Sequence, residues 1–191
     1  HGSGTVPATD SGGQFKNNTL NYDWAQRGLM ATLDAWVREG KEPPPSRHPK
    51  LADATMVPHH TLKFPAVPGV QWPVDVPSGY RWDVATPLSA MPFLLSQVDV
   101  DGNEIGGIRL PEQEVPLGTM TGWLFRSERI GAPHTLMVNS GAYIPFPVTR
   151  AEREKTGDPR RSIEERHAGR ADYLAKVAQV AHRLAEERYV L

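Results

Sequence analysis

His1-Gly-Ser-Gly-Thr-Val-Pro-Ala-Thr-Asp-Ser-Gly-Gly13 is followed, after a short Asn-rich join, by Tyr22-Asp-Trp-Ala-Gln-Arg-Gly-Leu-Met-Ala-Thr-Leu-Asp-Ala-Trp-Val-Arg-Glu39, and the contrast between the two runs points to the architecture. Gly2, Gly4, Pro7, Gly12 and Gly13 punctuate the first run as a loop, and Asn17, Asn18 and Asn21 offer caps for the second. In that second run Tyr22, Ala25, Leu29, Leu33, Trp36 and Val37 recur at a 3.6-residue period, with Asp23, Arg27, Asp34 and Arg38 opposite. A loop leading into an amphipathic helix is predicted, ended by Gly40 and the Pro43-Pro44-Pro45 run.

Beyond that helix, Pro49, Pro58, Pro65, Pro68, Pro73, Pro77 and Pro87 are spaced too closely for long elements, because each removes a ladder donor and biases its predecessor away from helix. Short extended pieces that wrap a neighbouring surface are predicted, anchored by Phe64, Val67, Val70, Trp72, Val74 and Val76. Phe93–Val100 and Glu104–Leu110 read as a hairpin joined through Asp101-Gly102-Asn103. Gly118–Phe125 and His134–Phe146 offer further extended pieces. The end reads as helical, with capping-box spacing at Thr149-x-x-Glu152 and Ser162-x-x-Glu165. The second box opens a helix in which Arg166, Tyr173, Val177, Val180 and Leu184 share a face.

The 191 residues suffice for one domain with a core, or for a small domain plus the edge of another. Eighteen Pro and 17 Gly put much of the chain in irregular structure. A formal net charge of −1, without basic-aromatic interleaving, leaves no footprint for nucleic acid. No apolar run has the length to cross a bilayer, so no membrane partner is expected. The absence of Cys excludes disulfides, thiolate ligands and a Cys nucleophile.

Three groups of residues carry a family resemblance. They are Asn18-Thr-Leu-Asn-Tyr22 through Ala35-Trp-Val-Arg-Glu-Gly40 to Pro43-Pro-Pro-Ser-Arg47; Gln97-Val-Asp-Val-Asp-Gly-Asn103 through Gly107-Ile-Arg-Leu-Pro111 to Pro116-Leu-Gly-Thr119 and Thr121-Gly-Trp123; and Ile144-Pro-Phe146, Thr149-Arg-Ala-Glu-Arg153 and Gly157-Asp-Pro-Arg160. Over nearly the whole chain these resemble the C-terminal half of a bacterial group known as alpha/beta hydrolase domain proteins. The resemblance implies a serine α/β-hydrolase fold, in which the general-base histidine sits on a loop after a late strand and a helix comes next. A Gly-Thr-Gln-His-Gly stretch carries that histidine, and His1-Gly2 matches its last two positions. The family's Gly-x-Ser-Gln-Ser-Gly elbow and its acidic partner have no counterpart here. The chain is therefore expected to be the C-terminal portion of an enzyme whose nucleophile and acid lie upstream.

For His1 the chemistry is that of a neutral imidazole, with a pKa of about 6.5, able to take a serine proton and return it to the leaving group. A leading His-Gly-Ser-Gly also matches the end of an expression tag and linker. His59-His60, with Asp53 and His48 nearby, lack the spacing of a metal-ligand pair and read as solvated loop. Asp99-x-Asp101-Gly102-Asn103-Glu104 lacks the ligand set of a calcium loop and reads as a turn. No Gly-x-Ser-x-Gly occurs anywhere, and Val138 stands where an elbow at Ser140 would need Gly, so Ser140 reads as a structural turn. His134, His167 and His182 have ordinary loop and helix readings. Trp72, Trp82, Trp123 and Phe125 suit either core packing or an apolar pocket wall, and Trp123 is the best substrate-binding candidate.

The predicted fold is α/β. Residues 1–45 form the end of an α/β-hydrolase core, with the catalytic-His loop plus helix. Residues 46–148 form a Pro-rich irregular segment and β-hairpin region, and residues 149–191 a helical C-terminus. The expected function is part of a serine hydrolase acting on a small-molecule ester substrate, partnered by the upstream N-terminal part of the same enzyme and using no cofactor or metal. The alternative is a non-catalytic accessory or interaction module.

Overall fold

The computed structural model describes residues 12–73 and 94–191. The helix predicted first is present as α1 (Asp23–Glu39): Asn21 Oδ1 accepts from the Asp23 amide at 2.9 Å, and Gly40 ends the helix in the left-handed region at φ 69°. Its inward face, however, is a narrow strip of small residues, Ala25, Gly28 and Thr32. The chain at Tyr189–Val190 runs over that strip so closely that a Cβ on Gly28 would lie 2.6 Å from the Tyr189 carbonyl oxygen. Apart from Ala25, the predicted apolar stripe faces outward instead, with Trp36 49 % and Val37 77 % exposed.

The strands are short. β1 (Lys16–Asn17), β4 (Gly118–Met120) and β5 (Ala142–Pro145) form an antiparallel sheet in the order β1-β5-β4, and β2 (Met56–Pro58) pairs antiparallel with β3 (Leu94–Ser96). Successive side chains of a strand point to opposite faces, so β5 serves two cores. Ala142 and Ile144 join Val67 and Leu124, while Tyr143 packs on Leu20, Leu110, Met120, Leu184 and Tyr189. Val67 and Val70 thus anchor the described part of the Pro-rich segment; Val74 and Val76 lie outside the described residues.

The predicted hairpin is reduced to its turn. β3 pairs with β2, and the fold-back is a single bridge from Val98 to Glu104. Gly106 and Gly107 weaken any longer strand here, and Gly107 at φ 87° lies outside the extended region that a ladder needs. Short α2 (Pro111–Glu114) comes next.

At the C-terminal end both caps form. Thr149 Oγ1 accepts from Glu152 N to open α3 (Arg150–Thr156), and Ser162 Oγ accepts from Glu165 N to open α4 (Ile163–Arg166). The single helix predicted from Ser162 is nevertheless two, because α5 (Arg170–Glu186) starts afresh after an extended His167. Arg166 is pinned by a two-point ion pair with Asp101, and Asp172 Oδ2 accepts from Ala168 N at 3.0 Å to start the next helix. Past α5, Tyr189 donates its hydroxyl to Pro45 O, and Arg188 donates to Glu42 O. Arg47 lies 4.3 Å above the Tyr189 ring and pairs with Glu187 at 3.0 Å. Residues 42–47 therefore strap the carboxyl-terminal end down.

Backbone and hydroxyl donation from Ser162, reinforced by Arg153, holds the Glu165 carboxyl at about 2, well below the ordinary 4.5. A depressed folded pKa stabilises the protein above the ordinary value, and this contribution is lost as pH falls from about 4.5 through about 2. Thermal melts followed by circular dichroism are expected to show Glu165→Gln melting lower than wild type at neutral pH, with the gap closing near pH 2.

Candidate functional site

Five rings from separated parts of the chain meet beside β4. The 3-10 turn at His59–Thr61 supplies His59, which stacks on Trp72 with centroids 5.5 Å apart; its Nε2 donates to Pro73 O at 2.7 Å. Trp72 stacks on Phe64 at 5.2 Å, and both meet Trp123 edge-on at 5.8 and 5.6 Å. Phe125 closes the other side of Trp123 at 5.9 Å. These offset and edge geometries suit ring quadrupoles and stiffen the cluster. Trp123 is oriented from below: Thr121 Oγ1 donates to Trp123 O and accepts from Ala142 N at 3.0 Å, tying the Thr121-Gly122-Trp123 turn to β5.

The rings wall a cavity of about 260 Å³, which opens onto a more polar one of about 420 Å³ bordered by Asn18, Tyr22, Gln113 and Ser140. Glu104, Met120, Thr121, Gly122, Trp123 and Leu136 belong to both, so the two form one cleft with an aromatic and a polar lobe. Volumes of this order suit a small organic molecule.

Glu104 stands where the lobes meet. It remains open to solvent, yet the surrounding walls thin its hydration enough to raise its carboxyl pKa, against the opposing hydrogen bond from Ser96. Tyr22 lies close enough that its phenol pKa is raised, chiefly by burial and then by the Glu104 charge.

What fixes Glu104 is its neighbour. Asn103 is fully buried, and its side chain acts as a surrogate strand along the free edge of β4, with Oδ1 accepting from Met120 N at 2.8 Å and Nδ2 donating to Gly118 O at 3.2 Å. Asp99 Oδ1 accepts from the amides of Asp101 and Asn103, both at 3.0 Å, which closes the turn. The sequence marks these residues as a turn; that the turn plugs a sheet edge and aims Glu104 into a cleft was not evident from it.

The structure places Trp123 in the wall shared by both lobes. His1 and Trp82 lie outside the described residues. Ser140 borders the polar lobe, but its Oγ donates to Val138 O at 3.2 Å, the bond of a turn. His134 meets Gln71 through Nδ1 at 3.4 Å, His167 sets its ring edge-on to Tyr173 at 5.1 Å, and His60 and His182 are exposed. Among the described residues no three His, Asp or Glu side chains gather as a metal-holding group, and no helix is long and apolar enough to cross a membrane.

A family model described as "Alpha/beta hydrolase domain" matches residues 3–191. No curated protein and no solved structure matches the chain.

Proposed function

This chain belongs to the alpha/beta hydrolase domain family, and on that premise we propose that it is part of a serine hydrolase cleaving carboxylic ester or related acyl bonds of a small molecule. The observation that carries this reading is the aromatic cavity beside Trp123, an apolar slot for an acyl or alcohol group with a polar lobe alongside. A serine oxygen attacks the carbonyl carbon while an imidazole takes its proton; the alcohol leaves with that proton, and water then hydrolyses the acyl-serine. His1 fills the imidazole role. Since no Gly-x-Ser-x-Gly occurs in the chain, serine and acid come from upstream polypeptide. The outward apolar stripe of α1, with Leu33 and Trp36 about half exposed, supports such a partner, because contiguous apolar surface of this kind marks an interface.

Fluorophosphonate labelling of the native protein, followed by peptide mapping, tests the reading. The expected adduct lies on a serine outside these 191 residues. An adduct on Ser140, or none at all, overturns the proposal; the second result favours an accessory module that uses the same α1 face.

A further inference from the structure

Three acidic side chains stand on the Asp99–Glu104 turn, and their partners differ. Asp99 is neutralised by Arg109 at 2.7 Å, and Asp101 by the two-point pair with Arg166. Glu104, the one that faces the cleft, has only the neutral hydroxyl of Ser96 as a hydrogen-bond donor among the described side chains. No described Lys or Arg lines either lobe. The other lining groups do not offset its charge. Thr121 Oγ1 is committed to the Trp123 carbonyl, and the His59 Nε2–H to Pro73 O, so neither is left to donate to an anion.

A carboxylate that meets no cation among the described residues, beside a cluster of aromatic rings, is complementary to one class of ligand group. Ring faces carry negative quadrupole charge and attract cations, the carboxylate adds a full charge of the same sign, and a low-dielectric wall strengthens both. An anionic group in the same place meets repulsion from the carboxylate and from the ring faces. Resting on the hydrolase reading, we propose that Glu104 and Trp123 form a subsite for an ammonium-bearing group of the substrate, so that the cleft selects cationic over neutral and anionic esters.

The test uses two isosteric alcohols that differ in charge alone, choline and 3,3-dimethylbutan-1-ol, titrated calorimetrically into the protein. Choline is expected to bind about ten-fold more tightly, a modest factor for a partly solvated cation site. Glu104→Gln preserves shape and hydrogen bonding, and is expected to bring the two affinities within about two-fold of one another. Equal affinities in the wild type, preference for the neutral alcohol, absence of binding by either, or a preference that survives Glu104→Gln each overturns the inference. The wild-type comparison does not depend on the variant folding. Because binding is read without turnover, failure here is distinct from failure of the fluorophosphonate labelling, which bears on the hydrolase reading alone.

Discussion

Arg160→Ala is expected to destabilise the protein by about 3–5 kcal/mol, the range for breaking a buried ion pair from one side. Arg160 is 2 % and Asp158 7 % exposed, and every N–H of the guanidinium is used. Nε and Nη2 donate to the two Asp158 carboxylate oxygens at 3.0 and 2.6 Å, Nη1 to Thr119 Oγ1 at 2.9 Å and Ile144 O at 3.1 Å, and Nη2 also to Pro145 O at 3.1 Å. The side chain thus joins the loop after α3 to β4 and β5 at once. Burial alone would raise the Asp158 carboxyl pKa, but hydrogen bonds and charge from Arg160 outweigh it and hold that pKa below the ordinary range. Removing Arg160 strands a buried carboxylate together with two strand carbonyls. Urea titration is expected to show a lower midpoint at unchanged slope. The double variant Asp158→Ala/Arg160→Ala should lose less than the two single losses added together, since neither charge is then left alone. Additive losses would show that the pair contributes nothing as a pair.

Asn103→Leu is expected to cost about 2–6 kcal/mol, because two buried backbone groups lose their partners and each unsatisfied group costs about 1–3 kcal/mol. The side chain keeps its heavy-atom count and branching, so no cavity is left, and the loss reports the missing hydrogen bonds together with the fit of the bulkier methyl groups. Its local signature is faster hydrogen exchange at the Met120 amide, whose acceptor is the Asn103 side chain. The same change releases Glu104, so binding in the cleft should weaken along with stability. Unchanged exchange at Met120 would show that the Asn103 side chain is not the strand surrogate described.

These two residues also mark where the sequence stops being informative. Helix α1 was legible because periodicity and caps act over a few residues. The face it buries was not, because that depends on Tyr189 and Val190 crossing Gly28 from the far end of the chain. The caps at Thr149 and Ser162 were legible for the same local reason, whereas the break between α4 and α5 depends on Arg166 pairing with Asp101, a contact 65 positions away. At the cleft, the aromatic residues and Trp123 stood out by residue type, while Glu104 looked like one more charge beside a turn. Only the docking of Asn103 on β4 gives that carboxylate its place.

The strap over the carboxyl-terminal end bears on how the molecule reaches its structure. Tyr189 bonds to Pro45 across 144 positions, and Thr32 bonds to Arg188 across 156. Loop closure on that scale is an entropic hurdle crossed late, and topologies of high contact order fold slowly. During synthesis, then, α1 emerges well before its partner: its seat against Tyr189 and Val190 is complete only after the 156 positions that separate Thr32 from Arg188 have been made.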